Sequence, residues 1–262
     1  MIPQSDIIEW SNYVPWNTNE QVEQDLVICR ALVEIYNDDF LASHLAFRGG
    51  TALHKLFLQP QHRYSEDLDF VQIKAEPFGK VLDHLRTVLA FLGKPKVDTG
   101  DKMATMKYRF DSEMPPTVPL RLKIETNCRE HFAELGWQTM KFDVNSTWFS
   151  GSCNLTTYKI EELLGTKIRA MYQRKKGRDL YDLYHALTKT QIDTDAVIKC
   201  YKKYMEFSVG KAPSQKEFLM NMEEKMQDDY FKGDIMGLIR PTEQYDQNVA
   251  YELVRTELIE RM

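Results

Sequence analysis

Apolar positions recur at helical spacing over residues 21 to 36, where Val22, Leu26, Cys29, Leu32 and Val33 fall on one face. The short run Leu45-Ala46-Phe47 predicts a strand, and Gly49-Gly50 breaks it. Thr51 is placed to cap a helix running to about Leu58, with Leu53, Leu56 and Phe57 facing inward, before a loop at Gln59-Pro60-Gln61-His62. Two segments then alternate with period two. In Asp67-Leu68-Asp69-Phe70-Val71 the leucine and phenylalanine take one face and the aspartates the other. From Leu120 to Glu125, Leu120, Leu122 and Ile124 oppose Arg121, Lys123 and Glu125. A strand from Met103 to Phe110 is expected to pair nearby, joined to the latter through the proline-rich loop at 115 to 119. From about Tyr158 the period becomes helical, with Ile160, Leu163, Leu164, Ile168 and Met171 in one stripe. After a turn at Lys175-Lys176-Gly177, Leu180, Leu183, Tyr184 and Leu187 form the next. A sheet-bearing part in residues 1–150, with N-terminal helices, and a mainly helical part in 151–262 make the class α+β.

Length and composition narrow the field. A chain of 262 residues, 43% hydrophobic, can bury a substantial core. No apolar run is long enough to span a bilayer, and the stretch Met1 to Trp16 lacks the basic start and apolar stretch of a signal peptide. Cys29, Cys128, Cys153 and Cys200 form no CxxC pair, so a disulfide framework or structural zinc is not expected. The protein is expected to be cytoplasmic. The net charge of −5 argues against a general nucleic-acid binder, although a local patch is enough to hold phosphates. The densest such run is Lys167, Arg169, Arg174, Lys175, Lys176 and Arg178; a solvated helix end explains its lysines equally well.

Three constellations could carry chemistry. Gly49-Gly50-Thr51 at a helix start would let a phosphate approach backbone N–H groups. Asp67 and Asp69 share a strand face, with Cα atoms roughly 6.6 Å apart. Two carboxylates about 4 Å apart repel by roughly 4 kcal/mol at an effective dielectric near 20, a penalty that a divalent cation removes. An isolated Asp-x-Asp is more often a solvated strand edge. Lys123 and Glu125 fall together on a polar face, as a phosphate contact and a third carboxylate or as an ordinary surface pair. Lys167 is flanked by Leu164 and Ile168. Asp179 and Asp182 share a helix face, with Arg178 at its start. Lys167 and Asp179 suit phosphoryl transfer, whereas Arg178 and Asp182 are read as structural ion pairs between helices. No HExxH, G-x-S-x-G or Walker A sequence is present.

Taken together, these segments resemble one family. Phe47-Arg48-Gly49-Gly50-Thr51-Ala52-Leu53 with Arg63-Tyr64-Ser65-Glu66-Asp67-Leu68-Asp69-Phe70 resembles the first motif of the AbiEii/MenT-like nucleotidyltransferases. Lys123-Ile124-Glu125 resembles the second, the segment from Glu161 to Ala170 the third, and Arg178-Asp179-Leu180-Tyr181-Asp182-Leu183 the fourth. The resemblance covers roughly residues 10 to 190. It implies a polymerase-β-type nucleotidyltransferase core with mixed β-sheet and helices, and a helical C-terminal part completing the active-site cleft. Gly49, Gly50, Thr51, Ser65, Lys123 and Lys167 would contact the NTP. Asp67 and Asp69, with Glu125 where many relatives carry a third aspartate, would bind Mg²⁺ or Mn²⁺. Asp67, Asp69, Lys167 and Asp179 would be catalytic. The implied activity is transfer of NMP to an acceptor, tRNA in some members, by a toxin with a cognate antitoxin. A nucleotidyltransferase acting on protein or a small molecule, and a non-catalytic NTP-binding module, remain alternatives.

Overall fold

The computed structural model describes residues 2–14 and 16–262. Met1 and Pro15, both in the stretch read above for a leader, lie outside the described residues. The chain divides into two compact units, one of residues 1–132 and 137–158, the other of residues 133–136 and 159–262. The sequence-based boundary at 150/151 falls at the start of a strand of the first unit.

In the first unit, α1 (Gln4–Trp10), α2 (Asn19–Tyr36) and α3 (Asp39–His44) precede β1 (Leu45–Arg48) and a short helix α4 (Gly49–Ala52). Then come β2 (Asp67–Gln72), α5 (Gly79–Val88), β3 (Lys96–Thr99), β4 (Met103–Asp111), β5 (Pro119–Asn127), β6 (Trp137–Asn145) and β7 (Ser150–Tyr158). Among the described residues the seven strands form one mixed sheet in the order β3-β4-β5-β2-β1-β7-β6. β2 runs antiparallel to β1 and parallel to β5, and the expected antiparallel pairing of β4 with β5 is present. α2, begun by the Thr18 side chain accepting from the Gln21 amide, lies against the sheet and is buried over most of its length, well beyond the stripe seen in the sequence.

Thr51 does not cap a helix. The helix starts two residues earlier, at Gly49, and Thr51 is fully inside it. From Leu53 to Phe57 the chain winds as a π-helix, whose i→i+5 bonds under-rotate successive side chains. Leu53 is buried as expected, but Leu56 and Phe57 are only half-buried, and His54 and Lys55 turn inward instead. Lys55 Nζ reaches Asp25 Oδ2 at 2.9 Å. Asp25 also accepts from Trp10 Nε1 at 3.1 Å, so this buried charge pair is hydrogen-bonded on both sides.

The second unit comprises α6 (Ile160–Gln173), α7 (Gly177–Lys189), α8 (Thr194–Val209), α9 (Gln215–Gln227), α10 (Asp229–Gly233) and α11 (Gln247–Glu257). Leu163, Leu164, Ile168 and Met171 of α6 and Leu180 and Leu183 of α7 are buried as the stripes require. Gly165 lets α6 and α8 touch backbone to backbone: a Cβ there would sit 2.9 Å from both the Tyr201 nitrogen and the Val197 oxygen. The buried Glu162 carboxylate accepts from the Glu134 and Leu135 amides and from Tyr204 Oη, which ties residues 133–136 to this unit. Lys225, also buried, donates to the carbonyls of Met171 and Tyr172 at 2.5 and 2.6 Å, closing the C-terminal end of α6. Burial pulls its ammonium down to about 8.

Candidate active site

The register of β2 against β5 sets the first cluster. Asp67 stands opposite Lys123 and Asp69 opposite Glu125, so all four side chains leave the sheet on one face, while Leu68, Phe70, Leu122 and Ile124 bury the other. Lys123 Nζ lies 2.9 Å from both Asp67 Oδ2 and Glu125 Oε2, each group about one-quarter exposed. The expected grouping of Asp67, Asp69, Lys123 and Glu125 is therefore present, with the ammonium bridging two of the three carboxylates. Partial burial pushes the Asp67 carboxyl up against the opposing pull of Lys123, and Glu66 and Glu125 add to the rise. Burial also works against the Lys123 charge, but the hydrogen bonds to Asp67 and Glu125 win and hold that ammonium above its ordinary value.

The turn from β1 into α4 brings the glycines onto this cluster. Gly49 has φ of +79°, and a Cβ built there would lie 2.2 Å from Asp69 Oδ2. Only glycine satisfies both the left-handed backbone and the close carboxylate. Gly50 sits over the wholly buried Arg63, whose Nη2 would be 2.5 Å from a Cβ at position 50. The Thr51 hydroxyl donates to the Asp67 carbonyl at 2.5 Å and lies 2.8 Å from Ser65 Oγ. Thr51 and Ser65 thus fasten the start of β2 to α4, and any phosphate contact of Thr51 falls to its backbone. Arg48, paired with Glu130 at 2.6 Å, and Arg63 belong to this locality but stood out only as motif letters in the sequence.

The second cluster lies wholly in the second unit. Lys167 on α6 is 3.1 Å from Asp179 Oδ1 and 2.9 Å from Asp182 Oδ2, both on α7 and both fully buried. Asp179 is also gripped by Arg174, whose Nε and Nη2 lie 2.7 and 2.8 Å from its two oxygens. Burial alone would raise the Asp179 carboxyl, but Lys167 and Arg174 together hold it below the usual carboxylate range. Asp182 and Arg178 are both in ion pairs: Asp182 with Lys167 across α6 and α7, and Arg178 with Asp234 through two bonds of 2.9 Å. The remaining cations of the basic run are also engaged. Lys175 meets Asp228 at 2.9 Å and Lys176 meets Asp234 at 3.1 Å.

An Asp-x-Asp strand with a glycine turn folded onto it, on a mixed sheet followed by a helical unit, is the layout of a nucleotidyltransferase. MenT4, a nucleotidyltransferase toxin of Mycobacterium tuberculosis, has a similar fold: TM-score 0.69 at 17% identity, covering 98% of this chain and 90% of that one. A protein of H. pylori described as a nucleotidyltransferase matches with a TM-score of 0.51, also at 17% identity, over 94% of this chain and 99% of that one. No curated protein matches the sequence. The family model of the nucleotidyl transferase AbiEii toxin, Type IV TA system, matches residues 30–252, and the chain belongs to that family. It is a nucleotidyltransferase enzyme, and its family implies an NTP substrate and an antitoxin partner. No helix among the described residues is long and apolar enough to cross a membrane.

Proposed function

We propose that this chain transfers a nucleoside monophosphate from an NTP to an RNA acceptor, tRNA in the first instance, with a divalent cation at Asp67, Asp69 and Glu125. The observation that supports this most is the gathering of three carboxylates on one sheet face beneath the Gly49–Gly50 turn. An all-oxygen donor set suits Mg²⁺ or Mn²⁺. When bound, such an ion would neutralise the phosphates and polarise the attacking hydroxyl.

The chain's own groups do the rest. Gly49 and Gly50 leave room for a triphosphate to approach backbone N–H groups, and Thr51 and Ser65 hold the turn to β2. Lys123 exchanges a carboxylate for a phosphate oxygen. Lys167 and Asp179 carry nucleotide contact and support of catalysis in the second unit, with Arg174 held by Asp179 as its half-exposed cation. Attack of the acceptor hydroxyl forms a bond to the α-phosphorus, the bond to the β-phosphate breaks, pyrophosphate leaves, and the hydroxyl proton passes to water. Incubation with each α-labelled NTP, Mg²⁺ and total tRNA, resolved on a denaturing gel, tests this. Labelled tRNA that disappears with EDTA and in Asp69→Ala is expected. Label in protein, or only in small molecules, would assign a different acceptor.

A further inference from the structure

The run at residues 174–178 is the densest set of cations in the sequence, yet each is committed to a carboxylate of its own unit. The sheet of the first unit carries the opposite case. Pairing places Lys96 of β3 beside Lys107 of β4, Lys107 beside Lys123 of β5, and Lys123 beside Asp67 of β2. One step along the strands, on the same face, Arg109 stands opposite Arg121. Lys94, Lys96, Lys107 and Arg109 line a shallow groove of about 230 Å³, and they and Arg121 are all exposed. None of these five has an ion pair or side-chain hydrogen bond among the described residues. Asp98 and Asp111, two residues beyond Lys96 and Arg109 on their own strands, bound the stripe at its flanks.

An outermost strand is often blunted by lysine, which would account for Lys94 and Lys96. It does not account for Lys107, which β3 covers, or for Arg121 on β5; Arg109 lies on β4 beyond the end of β3. These cations share one face of a chain with net charge −5, so their clustering is local and not a reflection of composition. The row is also directed. With strands about 4.8 Å apart, three strand intervals take it from Lys96 to Asp67 in roughly 14 Å, and its inner end is the carboxylate cluster.

We propose that this stripe, Lys94, Lys96, Lys107, Arg109 and Arg121, is the track on which the phosphate backbone of the RNA acceptor lies as its end reaches the Asp67–Asp69 site. The charge complementarity is between unneutralised cations in file and a polyanion. The inference rests on the RNA-acceptor reading above.

The test is binding of end-labelled total tRNA, without NTP, across a KCl series. Each lost phosphate contact lowers the slope of log K against log salt by about 0.7 for a single strand and 0.9 for a duplex. The triple variant Lys96→Ala, Lys107→Ala, Arg109→Ala is expected to flatten the slope by roughly 2 to 3, with melting temperature and NTP affinity unchanged. Lys107→Gln with Arg109→Gln, which keeps most of the side-chain volume, should give about two-thirds of that change and carries the test if the triple variant folds poorly. Lys175→Ala with Lys176→Ala should leave the slope as it was. A wild-type chain that labels tRNA, joined to stripe variants that keep the full slope, overturns the track and leaves the RNA reading standing. A wild-type chain that labels no RNA with any NTP overturns both.

Discussion

Each unit holds one lysine between two carboxylates, and the two arrangements are built for different ends. Lys123 bridges Asp67 and Glu125 on a face about one-quarter exposed, with Asp69 alongside. Lys167 bridges Asp179 and Asp182 in the interior, and Arg174 also binds Asp179. The first cluster is partly open to water, so its groups can exchange partners. In the second the lysine and both carboxylates are buried, their bonds join α6 to α7, and only the Arg174 guanidinium is half-exposed. A lysine flanked by acids thus means little until the neighbouring charges and the exposure are counted.

That contrast can be broken at several points. Lys167→Ala removes the ammonium bonded to two buried aspartates and is expected to cost about 3–5 kcal/mol, a fall of roughly 10 °C in Tm. The matching Lys123→Ala should cost under about 1 kcal/mol. Equal losses in thermal denaturation would erase the distinction. Asp67→Ala or Asp69→Ala should reduce nucleotide transfer at least about 100-fold, since even outer-shell partners of metal sites cost 10–100-fold, while Tm holds. A folded Asp69→Ala with wild-type turnover would remove the metal assignment.

Acid titration separates the clusters by sign. Asp179 is held below its ordinary 3.8 in the folded chain, so the stability it contributes is present above that value and lost as pH falls through the depressed one. Asp234, lowered to about 2 by Arg178 and Lys176 against the cost of burial, adds to the same loss between 3.8 and 2. Asp67 is raised, so its contribution is lost as pH rises above 3.8. Urea midpoints between pH 2 and 6 should show Asp179→Asn shallower on the acid side and Asp67→Asn shallower above pH 4. Smallest of all, Asp67→Asn without divalent metal should change stability at pH 7 by less than about 1 kcal/mol, toward greater stability. A clear loss would mean that Lys123 more than repays the burial of that charge.

The first cluster was largely legible because a strand has a fixed period: alternation alone put Asp67 with Asp69 and Lys123 with Glu125, and only the register joining the two strands had to be supplied by the fold. Elsewhere the period was misleading or silent. The π-helical winding at 53–57 turned Lys55 toward Asp25, which no 3.6-residue pattern anticipates. The β6–β7 hairpin carries little signal because β7 is Ser-Gly-Ser-Cys-Asn-Leu-Thr-Thr-Tyr, whose buried positions include Cys153 and Thr157 in place of large hydrophobes. The partners of Arg178 and Lys175 lie more than 50 residues away, in a helical region whose packing no local signal determines. Likewise, the cationic stripe is scattered over three segments between Lys94 and Arg121 and exists only after the strands pair.

The strand order also imposes a timetable. β2, which bears Asp67 and Asp69, ends at Gln72, whereas β5, which delivers Lys123 and Glu125 to its side, ends at Asn127, and 127 − 72 is 55 residues. At 5–20 residues per second, a ribosome needs about 3 to 11 s to make that stretch. Throughout that interval the two aspartates are on a strand without its β5 neighbour, and the acidic cluster is incomplete. A message that stops before codon 119 therefore yields a chain that lacks β5, and with it Lys123 and Glu125.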